Sequence, residues 1–172
     1  MTLLLRSIAG SHLYGTSRPE SDLDYYEVHS VLPSFSGLYK TQQTIIDGVD
    51  VTKVSLSHFM ELARIGSHQA LDAMFSEKVE VDKIEALRRG YRAGYSVVVP
   101  YLGIIHKFSV DGTERKRKHA VRVAFNLIDI LETGRFNPTL TPERKDLVLS
   151  LPKLPDKEFF EALSEISPLD IN

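Results

Sequence analysis

The chain has no cysteine. Disulfides and thiolate zinc sites are therefore ruled out, and a reducing, cytoplasmic setting is the one that fits. No run approaches the roughly 18–20 apolar residues of a membrane-crossing helix. Met1–Arg6 is too short and wrongly flanked for a signal peptide, so no membrane partner is expected. No charge dominates: 21 Lys and Arg stand against 23 Asp and Glu, a net charge of −2. That balance argues against strong non-specific nucleic-acid binding. There is no repeat and no low-complexity segment. What remains, 172 residues at 42% hydrophobic and 26% charged, is the makeup of a globular protein: one compact domain, or a small domain with a helical appendage.

The charge is unevenly spread. Residues 1–80 hold 6 basic and 10 acidic side chains, and residues 81–172 hold 15 and 13. The periodicity changes at the same place. Leu3–Ala9 reads as a buried strand feeding a turn at Gly10, and Ser11–Thr16 as one or two helical turns. Asp22–Leu32 reads as a long strand rich in Tyr, Val and Leu, followed by a loop over Pro33–Gly37. Strands near Thr41–Ile46 and Val49–Val54 flank Asp47-Gly48, a strong hairpin signal. Ser55–Ser57 caps a helix with Phe59, Leu62, Ala63 and Ile65 on one stripe, and Gln69–Phe75 reads as another short helix.

Beyond residue 80 the expectation is helical throughout: Asp82–Tyr95, Val98–Val110, Thr113–Thr133 ending at Gly134, a helix capped by Thr141 with Pro142 at its first position, and Asp156–Ile166. The expected fold class is α+β: a small mixed sheet with flanking helices in 1–80, then a helical region in 81–172 completing a nucleotide and acceptor cleft.

The stretch Gly10–Asp24 carries the chemistry. On one strand Asp22 and Asp24 would point to the same face, because side chains alternate with period two. Adjacent carboxylates repel unless a cation lies between them, so the pair reads as a metal site. A glycine-led turn leaves backbone N–H groups for an anion. Metal plus anion suggests a nucleoside triphosphate with magnesium. If the strand holding Asp50 lies beside the strand holding Asp24, Asp50 completes a three-carboxylate cluster. Such a cluster suits Mg2+ or Mn2+ as hard cations.

The pattern Ala9-Gly10-Ser11, then Asp22-Leu23-Asp24-Tyr25, then Val49-Asp50-Val51 resembles the DNA polymerase beta nucleotidyltransferase superfamily. Gly-Ser-x-x-Tyr-Gly followed by Pro-Glu-Ser-Asp-x-Asp is closer still to the RNA-repair-associated predicted nucleotidyltransferases of bacteria and phages. The likeness extends over residues near 3–150 and thins after 80. It departs at Ser67-His68-Gln69, where the group has Asn-Pro-Asn, and at Asp72, where the group has Glu.

The resemblance implies transfer of a nucleoside monophosphate from a triphosphate to an acceptor hydroxyl, with pyrophosphate released. Gly10 and Ser11 would hold the triphosphate through backbone N–H and hydroxyl. Asp22 and Asp24 would bind both metals. Asp50 would bind the catalytic metal and help take the acceptor's proton. The acceptor class stays open: an RNA end, a protein hydroxyl or a small molecule. A toxin–antitoxin type protein adenylyltransferase would use the same three aspartates, and a catalytically inactive nucleotide- or partner-binding protein is the non-enzyme reading.

Other residues carry further expectations. Arg115-Lys116-Arg117-Lys118 sits early in a helix, where the macrodipole favours acids, which hints at an anionic partner. Lys118 and Arg122, four apart on one face, are candidates for gripping phosphates. Tyr14 is expected to pack, His12 to be exposed in its turn, and Arg18 to be solvated.

Overall fold

The structure, a computed structural model, describes residues 1–32 and 41–166, so the loop expected at Pro33–Gly37 lies outside the described residues. By contact the chain divides into two units, residues 1–91 and 92–172. The fold is α+β, with a five-stranded mixed sheet in the first unit and helices in the second.

In the first unit β1 (Leu3–Ala9) pairs antiparallel with β2 (Asp24–His29), Ser7 opposite Tyr26 and Ala9 opposite Asp24. The hairpin of β3 (Thr41–Ile46) and β4 (Val49–Ser55) turns at Asp47 and Gly48. Both have positive φ, 51° and 81°, as a two-residue type I′ turn requires. The β-branched β4 then lies parallel to β2, with Asp24 paired to Asp50, Tyr26 to Thr52 and Val28 to Val54. The sheet order is β3-β4-β2-β1-β5.

The fifth strand, β5 (Val79–Asp82), pairs with the other edge of β1. The expected helix over Asp82–Tyr95 is accordingly cut down to α4 (Glu85–Gly90). Four residues are too few to declare a period against the helical signal that follows. The deciding influence is tertiary, since the outer backbone groups of β1 need partners.

Strand alternation sorts the sheet into two faces. Leu5, Ser7, Tyr26, Val28 and Val54 share one face and are buried. The helix α2 (Leu56–Arg64), capped by Ser55 accepting from the His58 amide at 3.3 Å, packs there through Phe59, whose ring centroid lies 6.0 Å from that of Tyr26. α1 (Gly10–Tyr14) and α3 (His68–Phe75) also pack on the strands.

The other face carries a polar network. The guanidinium of Arg6 lies 3.6 Å from Glu27, 3.4 Å from Glu80 and 4.1 Å above the Tyr25 ring. The Tyr25 hydroxyl donates to Glu80 at 2.6 Å, and this bond, reinforced by burial, raises its pKa above 10.0. His29 Nε2 and Glu27 Oε2 are 2.9 Å apart. Arg88 of α4 ties the end of the unit together, donating to the carbonyls of Ala73 (3.2 Å) and Ser76 and pairing with Asp82.

The second unit holds α5 (Val98–Val110), α6 (Glu114–Thr133), α7 (Pro142–Ser150) and α8 (Asp156–Ile166). α6 is its central element and packs against the other three. Its residues Ala120 to Leu127 are buried without a break, where an amphipathic stripe was expected, as befits a helix surrounded on all sides. Arg144 of α7 grips Asp129 of α6 with two bonds, 2.6 and 2.7 Å, which raise the Arg144 pKa. A fork-to-carboxylate pair of this kind is geometrically specific.

Burial pushes the Tyr26 phenol well above its ordinary value of 10.0. The folded chain therefore holds that proton more tightly than the unfolded chain. Its contribution to stability is complete below pH 10 and is lost as pH rises towards the raised folded value. Urea unfolding followed by circular dichroism should show a loss of stability between pH 8 and about pH 11, and Tyr26→Phe should lessen it, the remainder coming from Tyr25 and Tyr91, whose values are also raised. Equal losses in both proteins would contradict this.

Candidate functional site

The site is built where β2 begins. The expected strand from Asp22 starts instead at Asp24, because the pairing of β2 with β1 ends at Ala9–Asp24 and that with β4 at Asp50–Asp24. Asp22 has no strand neighbour upstream of that point and stands exposed in the coil before β2. The loop leading to it is ordered: the Arg18 amide donates to Ser21 Oγ at 2.8 Å, the Ser21 amide donates to the Arg18 carbonyl at 3.0 Å, and His12 Nε2 lies 3.1 Å from the Ser21 carbonyl. His12, expected at the surface, is half-buried and serves as a clip.

The register sets Asp24 beside Asp50 on neighbouring parallel strands. Paired residues in such strands share a face and lie about 4.8 Å apart across the ladder. Two ionised carboxylates roughly 5 Å apart repel by at most about 3 kcal/mol at an effective dielectric of ~20. Asp50 Oδ2 accepts from the Gln43 amide at 2.8 Å. Its other oxygen, Oδ1, is buried without a hydrogen-bond partner among the described residues. An unsatisfied buried acceptor costs about 1–3 kcal/mol, and more when charged.

Gly10 backs Asp24. Its φ is +61°, and an added Cβ would overlap Asp24 Oδ2 and come within 3.3 Å of Asp24 Cγ. Glycine is thus required twice, by the left-handed backbone and by the carboxylate lying against it. Ser11 follows in the first turn of α1, a helix of 5 residues.

No family model matches the chain. It is similar to a protein of Enterobacteria phage T4 described as an uncharacterized 38.9 kDa protein in the nrdC-mobD intergenic region, 34% identical over 87 residues. The match takes in 43% of this chain and 26% of that protein, so the chain spans about a quarter of its relative's length.

Among the described residues, no group of three or more His, Cys, Asp or Glu side chains could hold a metal ion. The structure brings Asp24 and Asp50 together with Gly10 and leaves Asp22 outside the strand. Lys118 and Arg122 lie on α6 in the second unit. Lys118 is paired with Glu114 at 2.7 Å, and Arg122 is 2% exposed. The basic run before them is largely structural. Lys116 pairs with Asp111, and Arg117 pairs with Asp156, donates to the Leu154 carbonyl at 3.1 Å and lies 4.5 Å above the Phe159 ring. Acidic partners brought in by the fold offset the unfavourable helix position that hinted at an outside anion.

Two participants escaped the sequence reading. Gln43 was legible: a two-residue turn at Asp47-Gly48 sets Ile45 opposite Asp50, which makes Gln43 its diagonal neighbour on the same face. The buried bond from the Tyr14 hydroxyl to Asp72 Oδ2, 2.7 Å long, had no such signal, because 58 positions separate the partners.

Gly10→Ala should destabilise the protein by more than about 1 kcal/mol, and by more than Gly15→Ala, whose φ is +78° but whose Cβ would meet nothing within 4 Å. The excess should fall when Gly10→Ala is combined with Asp24→Ala. Additive costs in that double-mutant cycle, read by chemical denaturation, would show that Gly10 and Asp24 do not interact.

Proposed function

We propose that the protein is a metal-dependent nucleotidyltransferase, moving a nucleoside monophosphate from a triphosphate to an acceptor hydroxyl in the cytoplasm and releasing pyrophosphate. The acceptor class is an RNA end, a protein hydroxyl or a small molecule. The observation that carries the reading is the buried, unpartnered Oδ1 of Asp50 beside its register partner Asp24. A divalent cation is the ligand that would satisfy that oxygen and offset the repulsion between the two carboxylates. Mg2+ usually takes one or two carboxylates and completes its shell with water and substrate phosphates, a demand that the Asp24 and Asp50 pair can meet.

Asp24, held against Gly10, and Asp50, held by Gln43, would be the cation's protein ligands. A bound cation would supply charge neutralisation at the phosphates and lower the pKa of a hydroxyl it contacts. With Oδ2 committed to Gln43, Asp50 has Oδ1 left to bind the cation or accept the acceptor's proton. Gly10 and Ser11, at the start of α1, supply an amide and a hydroxyl towards the triphosphate, as in the family the sequence resembles. Asp22 would have to move in from its coil to join them. Among the described residues no helix is long and apolar enough to cross a membrane, which accords with a water-borne acceptor.

One observation favours a second reading. Because the three aspartates are not gathered into one metal-holding group, a nucleotide-binding protein without turnover remains the competing function.

Incubation with α-labelled nucleoside triphosphates, Mg2+ and a cell extract separates the possibilities. Label should move to a macromolecule or small acceptor and fall at least about 100-fold in Asp24→Asn and Asp50→Asn, a loss of about 2.7 kcal/mol or more in transition-state stabilisation. Label on RNA identifies end modification, and label on protein identifies adenylylation. Binding of Mg-ATP without transfer to any acceptor supports the second reading, and absence of binding contradicts both.

A further inference from the structure

We propose that Tyr14 and Asp72 are positioning residues for the Asp24 carboxylate, an inference that rests on reading Asp24 and Asp50 as the protein's divalent-cation site. α1 has 5 residues, and helices shorter than about 12 residues do not hold their own shape in water. Its placement is imposed from outside. At its last residue the buried Tyr14 hydroxyl donates to Asp72 Oδ2 of α3 at 2.7 Å. Lys78 Nζ donates to the His12 carbonyl at 2.6 Å, and His12 Nε2 reaches the Ser21 carbonyl. The helix is thereby tied to α3, to the segment entering β5 and to the loop that leads to Asp22.

The other end of this single turn is Gly10, whose Cα faces the Asp24 carboxylate so closely that no side chain fits between them. At about 1.5 Å of rise per residue, Tyr14 and Gly10 are roughly 6 Å apart along the axis, close enough for the tie at one end to bear on the other. A shift of α1 by an ångström opens the backing of Asp24 or drives Gly10 into it. Tyr14–Asp72 is therefore the support that fixes where Asp24 presents its oxygens. Asp72 is 3% exposed on a helix that otherwise buries Ala70, Leu71, Ala73, Met74 and Phe75. A carboxylate in such surroundings is costly unless it is hydrogen-bonded, and the Tyr14 hydroxyl brings it one such bond from the helix that begins at Gly10. Groups bonded directly to a ligand typically change metal affinity by about 10–100-fold when removed; Tyr14 and Asp72 act a step further out, through Gly10, so the lower end of that range is expected.

Titration of Mn2+ in the presence of ATP tests this on the full chain. Tyr14→Phe and Asp72→Leu should each weaken Mn2+ binding about tenfold or more, and the double variant should be no weaker than the worse single one. Leu163→Ala, a core change on α8 in the second unit, should bind as the wild type does. Tyr14→Phe removes a single oxygen and carries the test if Asp72→Leu does not fold. Wild-type affinity in Tyr14→Phe, or an equal loss in Leu163→Ala, overturns the positioning role and leaves the cation site standing. No Mn2+ binding by the wild type overturns the cation site and this inference with it.

Discussion

The parallel pairing of β2 with β4 is the constraint on which the site depends. Parallel neighbours bring residues of like register side by side, and this register sets Asp24 against Asp50. A slip of one residue would send one carboxylate to the opposite face, where Tyr25 and Glu27 lie among Arg6 and Glu80. Apolar burial guards against that slip, because Tyr26 and Val28 on β2 and Val54 on β4 must all reach the face that carries Phe59. The packing that makes the sheet stable is thus the same packing that makes the carboxylates neighbours.

Stability and chemistry pull against each other at this point. Asp50 Oδ1 is buried without a hydrogen-bond partner among the described residues, and the register sets a second acidic residue, Asp24, beside it. Gln43 satisfies one oxygen of Asp50, and Gly10 gives up its side chain so that Asp24 can lie against the backbone. These features make Asp24 and Asp50 the candidate ligand site. In the second unit Arg117 pairs with Asp156 and the Leu154 carbonyl, Arg144 with Asp129 and Lys118 with Glu114, while Arg117 Nε and Asn126 Nδ2 are buried without a hydrogen-bond partner among the described residues.

Local signals and tertiary ones were unequally legible in the sequence. The hairpin at Asp47-Gly48, the caps at Ser55 and Thr141, the helix end at Gly134, and the helices Val98–Val110 and Asp156–Ile166 were readable because each depends on a few adjacent residues. The start of β2 was not, since where a strand begins is decided by where its neighbours end. β5 was missed for a similar reason, being four residues whose only cause is the open edge of β1. Of the site, the residue types at Gly10, Asp24 and Asp50 were visible in their spacing. The placement of Asp22 in coil, the internal pairing of Lys118 and the burial of Arg122 were not, because exposure and partnership are properties of the folded chain.

The most direct test is an anomalous difference map from crystals soaked in Mn2+ with a non-hydrolysable triphosphate. The account predicts one strong peak within about 2.5 Å of oxygens from both Asp24 and Asp50, one of them Asp50 Oδ1. A peak bound elsewhere, or none, with Asp50 Oδ1 satisfied by water or a protein donor, would contradict it.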